Sequence, residues 1–270
     1  MKQDTNKSNA QNGNAHEIRQ NTNDHGGKLN YLDVLSESYD CFNDFFKINK
    51  ELNARIMMPY LNKKKGGVAL ELGCGIGEST AHLAPLFSSL TVCDGSDFFL
   101  RKAKDRLRAY KHIEFKQILF ENINDEYLYD FIIANYILEH VDDTENILTV
   151  CYNALKQGGY LFITVPNAKA LSRQLAVKMG LLDNIYSLTE NDIKHGHKRV
   201  FDIDILKEKI AKTKFNIITH GGVYVKPLAD FQLKQLVEAE ILNKSHFEGL
   251  RLLADDYPEL SGSIYFVLSK

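Results

Sequence analysis

The sequence has no C-x-x-C pair and no zinc-type cysteine spacing; its four cysteines, Cys41, Cys74, Cys93 and Cys151, stand far apart. Neither a disulfide framework nor a cysteine-bound metal is indicated, and a reducing, cytoplasmic compartment is the simplest setting. Long apolar runs are also missing. None approaches the roughly 20 residues that cross a bilayer, and the polar N-terminus shows no secretory signal, so no membrane association is expected. An excess of one charge sign is absent too: 33 Lys and Arg against 35 Asp and Glu leave a net charge of -2. That balance argues against whole-surface attraction to nucleic acid or anionic lipid. What is present is a globular composition, 44% hydrophobic and 25% charged over 270 residues, long enough for one large core.

Residues 1–28 are rich in Asn, Gln, Asp, Lys and Gly, with Ile18 the only large aliphatic residue after Met1. They are predicted to be a disordered tail, with a single domain over 29–270. From Tyr31 to Leu61 the apolar spacing, with Ile48, Leu52 and Ile56, predicts an N-terminal helical cap. Strands follow at Val68–Leu72, Leu90–Cys93, Ile113–Ile118, Phe131–Ala134 and Tyr160–Val165, with helices near 78–87, 97–110 and 143–156. Strand alternating with helix predicts an α/β fold, a parallel sheet with helices on both faces. Two further strands are expected at Phe215–Thr219 and Ser263–Leu268, and the span 228–256 between them is largely amphipathic, with Leu233, Val237 and Ile241 spaced by four.

The most informative segment is Glu71-Leu72-Gly73-Cys74-Gly75-Ile76-Gly77-Glu78, which reads as strand, glycine loop, helix. Glycines there let the backbone turn sharply and approach a ligand closely. The spacing is G-x-G-x-G, not the G-x-G-x-x-G that sets a helix N-terminus on a pyrophosphate. An acid, Glu71, precedes the first glycine; it would repel a pyrophosphate but suits a ligand carrying an ammonium or sulfonium cation. The next strand ends at Asp94, where an acid can take both hydroxyls of a ribose. An acid at that point can equally cap the helix starting near Asp97.

Glu71-x-Gly73-x-Gly75-x-Gly77 followed by Asp94 resembles the S-adenosylmethionine site of the class I methyltransferases. Asp130-Phe131-Ile132-Ile133-Ala134-Asn135 is similar to that family's fourth strand, Leu138-Glu139-His140-Val141-Asp142-Asp143 to the segment after it, and Leu155-Lys156-Gln157-Gly158-Gly159-Tyr160-Leu161 to its turn into strand five. The resemblance covers about residues 31–220 and the last strand. It implies a Rossmann-like parallel sheet ending in an antiparallel strand pair, with a cofactor-binding core at 67–165 and a substrate lid or cap at 167–200 and 228–256. It further implies S-adenosyl-L-methionine as cofactor. Gly73, Gly75 and Gly77 would pass under its methionine and ribose portions, and Glu71 would order the loop and face the ammonium. Asp94 would hold the ribose diol, with Gly95 and Ser96 beside the adenine and Asn135 near the methionine end. Where many relatives place an acid against the adenine amine, this chain has Phe120 and Glu121, a departure that leaves the register there open. Tyr39, in the helical cap, is a further candidate for the cofactor's carboxylate.

The acceptor side is expected beyond the strand ends, at Asn135–His140, at Asn167 and under the lid. Methyl transfer to a hydroxyl requires removal of a proton, and histidine is the natural base near neutral pH. His197, His195 and His140 are the candidates, in that order. Arg173, Lys198 and Arg199 are placed to hold a phosphate or carboxylate of the acceptor. No carboxylate completes a metal triad with the histidines by sequence, so no metal is expected. The cations from Arg101 to Lys111 lie opposite Phe99, Ala103 and Leu107 and mark the wet face of a helix, not a nucleic-acid patch. The expected function is methyl transfer to a hydroxyl of a small polar molecule, with a sugar or a nucleotide-linked or phosphorylated intermediate as candidate acceptor. The alternatives are an N-methyltransferase of a small amine, a non-catalytic S-adenosylmethionine-binding protein, or a nicotinamide-dependent dehydrogenase. The oligomeric state is not legible, and a homodimer is compatible with the sequence.

Overall fold

The computed structural model describes residues 25–36, 44–61 and 66–270. Its centre is a seven-stranded sheet in the order β3-β2-β1-β4-β5-β7-β6. The strands are β1 (Val68–Leu72), β2 (Ser89–Asp94), β3 (Ile113–Gln117), β4 (Tyr129–Asn135), β5 (Leu155–Pro166), β6 (Asn216–Gly222) and β7 (Ser263–Ser269). β1 to β5 pair in parallel, while β7 runs antiparallel to both β5 and β6. This is the Rossmann-like sheet with a reversed strand pair that the sequence predicts.

The inner strands read as nearly unbroken apolar runs because both of their faces are covered. Leu70, Leu72, Ile132, Leu161, Ile163 and Phe266 face one layer, packed by Ile147, Leu148 and Cys151 of helix α5 (Thr144–Ala154) and by Leu206 and Ile210 of α8 (Ile203–Ala211). Their neighbours Ala69, Leu90, Val92, Phe131, Ile133 and Phe162 face the other layer. There they meet Met57 and Leu61 of α2 (Asp44–Leu61) and Leu100 and Ala103 of α4 (Asp97–Arg106).

Local chemistry sets the helix starts. Ser96 caps α4, its hydroxyl accepting the Phe99 N–H at 3.2 Å, so the cap is Ser96 and not Asp94. Asp143 caps α5 in the same way through the Asn146 N–H. Lys104 and Arg106 in the last turn of α4 suit the negative end of its dipole, and the cationic residues from Arg101 to Arg108 are exposed.

Some boundaries differ from the sequence reading. A helix, α1, spans His25–Ser36, so ordered structure begins ahead of Leu29 and takes in Lys28, which pairs with Glu121 at 3.3 Å and Asp142 at 3.4 Å. The helical run from Tyr31 to Leu61 is divided between α1 and α2. The amphipathic span 228–256 is two helices, α9 (Asp230–Glu238) and α10 (Lys244–Asp256), whose Leu233 and Phe247 pack with Leu52 of α2 and with Tyr224. That satellite core seats the helical cap over one end of the sheet. The lid region holds two short helices, α6 (Leu171–Lys178) and α7 (Glu190–Lys194).

Candidate active site

Strand order reverses at β1: β2 lies on one side and β4 on the other, so the chains leaving β1 and β4 diverge and open a crevice at their carboxyl ends. A cavity of about 1130 Å³ occupies it, reaching from the glycine loop to the lid and large enough for two small molecules side by side.

The glycine-loop end is built around two buried carboxyls. Glu71 accepts a hydrogen bond from the Thr80 hydroxyl at 2.6 Å, which links the end of β1 to helix α3 (Glu78–Leu83). Burial pushes its carboxyl up to about 7. Asp94 accepts the backbone N–H of Cys74 at 3.0 Å and of Ser96 at 2.9 Å, and burial raises it to about 6. Between them Gly73 and Gly75 adopt φ of 73° and 49°. A Cβ on Gly73 would meet Ile137 Cδ1 at 2.3 Å, whereas one on Gly75 would enter open space. At Gly73 the positive φ disfavours any side chain and Ile137 would have to shift, while Gly75 leaves its side of the cavity open.

Phe120, Glu121, Gly95 and Ser96 also line the cavity. The Ser96 hydroxyl is already engaged, capping α4 and donating to Asp33 at 2.7 Å. Asn135, at the end of β4, has a buried side-chain Nδ2 without a protein partner, and it lines the same cavity. Tyr39 lies outside the described residues.

Beyond Asn135 the chain turns through Tyr136, whose φ of 60° is unusual for a bulky residue and marks local strain. The Tyr136 hydroxyl is shared with Asn49 at 3.2 Å, Asn53 at 3.1 Å and Ser263 at 3.1 Å, which pins the turn to α2 and β7. The turn delivers Glu139 and His140. Glu139 is fully buried, and burial lifts its carboxyl to about 7. Burial, reinforced by His197, lowers His140 to about 3, which leaves it neutral and weakly basic.

The lid brings His197 against this segment, its ring centroid 4.7 Å from that of His140. His197 Nδ1 lies 3.2 Å from Asp192 Oδ1. Burial works against the Asp192 charge, yet contacts from His197, Thr189 and Arg173 outweigh it and hold the carboxyl below its usual range. His195, lowered by burial, ends α7, its ring 6.3 Å from His197. All three candidate histidines thus line one end of the cavity.

The expected substrate-binding residues each have a partner within the protein. Arg173 directs its Nη1 to Asp192 at 3.0 Å, its Nε to the Ile185 carbonyl at 3.0 Å and its Nη2 to the Ser187 carbonyl, so it knits the lid together. Arg199 donates to Thr144 at 2.8 Å and to the Asp142 carbonyl at 3.0 Å, at the start of α5. Lys198 pairs with Asp142. Asn167 is buried, donating to the Glu259 and Ser261 carbonyls at 2.8 Å and accepting the Lys169 N–H. Each has an internal partner, although the Lys198–Asp142 pair is solvent-exposed and Asn167, Arg173 and Lys198 line the cavity.

The expectation that no carboxylate joins the histidines is also corrected: Glu139, His140 and His197 offer ligand atoms that all lie within 4.8 Å of one another. Glu139 and Asp192 also line the cavity, and the sequence reading did not single them out. Glu139 did carry a signal, an acid inside the apolar run Tyr136-Ile137-Leu138-Glu139-His140-Val141. Asp192, in the first turn of α7, carried no such signal.

A Rossmann-like sheet with a glycine loop, a buried acid on each side of it and a cavity at the switch point is the arrangement of a nucleoside-cofactor α/β domain. Residues 70–161 match the methyltransferase domain family. The chain is 34% identical over 169 residues to the mitochondrial ubiquinone biosynthesis O-methyltransferase of Homo sapiens, a match covering 60% of this chain and 45% of that protein. The chain spans about half the length of the curated relatives it matches. Among solved structures it resembles the N-methyltransferase NodS from Bradyrhizobium japonicum WM9 in complex with S-adenosyl-l-homocysteine. That likeness has a TM-score of 0.56 at 14% identity, over 88% of this chain and 96% of that one. It also resembles the [4+2]-cyclase SpnF, with a TM-score of 0.55 at 16% identity over 80% of each chain. At such identities the structures show the fold, and SpnF shows that the fold alone does not dictate the reaction. By its domain match and by its fold, the chain is similar to the class I S-adenosylmethionine-dependent methyltransferases.

Proposed function

We propose that this protein transfers a methyl group from S-adenosylmethionine to a hydroxyl of a small molecule. The observation that carries the reading is one continuous cavity, with Glu71, Asp94 and the glycine loop at one end and the histidines with Glu139 at the other. The first end fits the cofactor: a Cβ on Gly75 would occupy the open space, and the Asn135 amide there has no protein partner. Asp94 would accept the ribose hydroxyls, Glu71 would face the ammonium, and Phe120 would pack beside the base. When bound, the cofactor supplies an electrophilic methyl on a sulfonium, and the chain's part is alignment of the acceptor and removal of its proton.

The acceptor falls at the other end, where His197, its Nδ1 3.2 Å from Asp192 Oδ1, is the foremost group for handling the hydroxyl proton. His140, held neutral and weakly basic, is the poorer base. Arg173 and Arg199 are engaged internally, which supports a neutral hydroxylated acceptor, while Lys198 lines the cavity in an exposed pair with Asp142. The human relative's name, an O-methyltransferase of ubiquinone biosynthesis, supports an oxygen acceptor. Buried free Cys74, Cys93 and Cys151 accord with a cytoplasmic setting. Among the described residues no helix is long and apolar enough to cross a membrane.

The test is calorimetric titration with S-adenosylhomocysteine, followed by screening of phenols, catechols and sugars for its release from S-adenosylmethionine. With an acceptor in hand, His197→Ala should lower kcat by about 10²–10⁴-fold while cofactor affinity holds. Failure to bind S-adenosylhomocysteine would overturn the assignment.

A further inference from the structure

Tyr224 follows β6 by two residues and is only 1% exposed, yet it lines the cavity. Its ring belongs to the satellite core with Leu52 and Leu233, and it meets Phe247 edge-on at 5.9 Å. Among the described residues its hydroxyl has no hydrogen-bond partner; only burial and the charges of Asp230 and Tyr136 act on it. A buried phenol ordinarily finds a partner, because an unpaired hydroxyl away from water is costly. The chain's other deeply buried tyrosines obey that rule. Tyr129 donates to Asp125 at 2.7 Å, and the Tyr136 hydroxyl is shared with Asn49, Asn53 and Ser263.

The backbone holds Tyr224 firmly. The Gly262 N–H donates to the Tyr224 carbonyl at 3.0 Å, the Val223 N–H to the Ser263 carbonyl at 3.0 Å, and the Val225 N–H to the Leu250 carbonyl at 2.9 Å. Its place relative to the chemistry follows from Asp230, the first residue of α9. The Asp230 charge acts on Tyr224, on Tyr136 after β4 and on His195 of the lid, and all four residues line the cavity. Tyr224 therefore stands at the acceptor end and not at the glycine loop. Asp230 is itself paired with Lys226 at 2.7 Å. Burial first, then Asp230 and Tyr136, push the Tyr224 phenol well above its ordinary range, so it stays protonated and able to donate.

We infer that Tyr224 is a specificity-determining residue of the acceptor site, its hydroxyl donating a hydrogen bond to a second oxygen of the acceptor, apart from the hydroxyl that is methylated. That second group is a neutral oxygen, a hydroxyl or a carbonyl. A carboxylate there would come within reach of the Asp230 charge, and an ammonium has no lone pair to receive the phenol's proton. An acceptor with only carbon and hydrogen at that point would leave the buried hydroxyl unpaired, which is how a site built around a polar group rejects the analogue lacking it.

The inference rests on the reading that the acceptor binds beside the histidines, and it adds the acceptor's class, a small molecule with two neutral oxygen functions. Tyr224 takes no part in moving the proton of the methylated hydroxyl. Its contact is made alike in the ground state and the transition state, so its loss raises KM and leaves kcat near wild type.

The test uses the full chain saturated with S-adenosylhomocysteine and titrated by calorimetry with phenol, catechol, resorcinol, hydroquinone and 4-hydroxyacetophenone. Tyr224→Phe removes one oxygen and keeps the ring against Phe247, so the variant is expected to fold with an undiminished Tm. At least one two-oxygen probe should bind the wild type about tenfold tighter than phenol does, and Tyr224→Phe should erase that advantage while binding phenol as the wild type does. For a probe that is methylated, KM should rise about tenfold in the variant with kcat near wild type. S-adenosylhomocysteine affinity, measured first in both proteins, should be equal. Its absence in the wild type would count against the functional reading as a whole. With the cofactor product bound, no preference for a second oxygen in the wild type, or a preference that survives in Tyr224→Phe, overturns this inference alone.

Discussion

Asp94 Oδ2 accepts the backbone N–H of Cys74 at 3.0 Å, tying the end of β2 to the glycine loop that follows β1. One carboxylate thus shapes the loop with one oxygen and holds Ser96 N–H with the other, and it remains on the cavity wall. Asp94→Ala should weaken S-adenosylhomocysteine binding by about 1–3 kcal/mol, through loss of a charge-assisted contact and of loop order. Calorimetry on both proteins measures this. Unchanged affinity in a folded variant would remove Asp94 from the site.

Gly75 is a sharper probe, because its hydrogen points into the cavity. Gly75→Val should abolish cofactor binding. Its φ of 49° also makes any side chain unfavourable, so a loss of about 1–2 kcal/mol in stability is expected alongside. A thermal scan without ligand and a titration with it separate the two effects. Near-normal binding would show that this loop does not hold the cofactor.

The two buried acids make binding pH-dependent. Glu71 at about 7 and Asp94 at about 6 are both raised by burial, with Thr80 and Lys50 acting on Glu71 in the opposite sense. Carboxyls raised in the folded state favour the apo protein at low pH, and their contribution is lost as pH rises from about 4 to 7. Hydroxyl and ammonium donors of the cofactor favour the ionised forms, so affinity carries the opposite sign. S-adenosylhomocysteine should bind with little pH dependence above about 7, then weaken by up to tenfold per pH unit and per group below it. Affinity that holds level down to pH 5 would show that neither carboxyl meets a ligand donor.

Arg173 distinguishes a structural role from a substrate handle. Its guanidinium reaches Asp192 and two carbonyls inside the lid, with both charged groups largely buried. Arg173→Met should leave Asp192 short of a partner and destabilise the protein by about 3–5 kcal/mol, read as a lowered Tm. If Tm is unchanged and only the KM for an acceptor rises, Arg173 belongs to the acceptor site after all.

Much of the architecture is written in local pattern. The short apolar runs from Val68 to Leu72 and from Phe131 to Ala134, each bounded by turn residues and alternating with helical stretches, read as strands covered on both faces. The glycines at 73, 75 and 77, set between Glu71 and Asp94, demand a tight turn opening onto the sheet's crevice. These features depend on backbone conformation and on burial over a few residues, so they survive translation from chain to fold without knowledge of neighbours. Even so, Asp94 had two readings by sequence, ligand or helix cap. Only the Ser96 hydroxyl on Phe99 N–H decided that the cap lies elsewhere.

What the tertiary structure alone decided is the partnership of polar side chains. Arg173, Lys198, Arg199 and Asn167 look available in a linear reading because their partners lie on other elements: Asp192 and the lid carbonyls, Asp142, Thr144, and the Glu259–Ser261 turn. Glu139 is one residue of the segment after β4 in the linear reading; its burial and its place beside His197 come only from the folded structure. A strand or a glycine turn is specified by the conformational preferences of neighbouring residues. The charge state, partners and reach of a polar group are set by whatever the fold packs beside it, and periodicity carries no record of that.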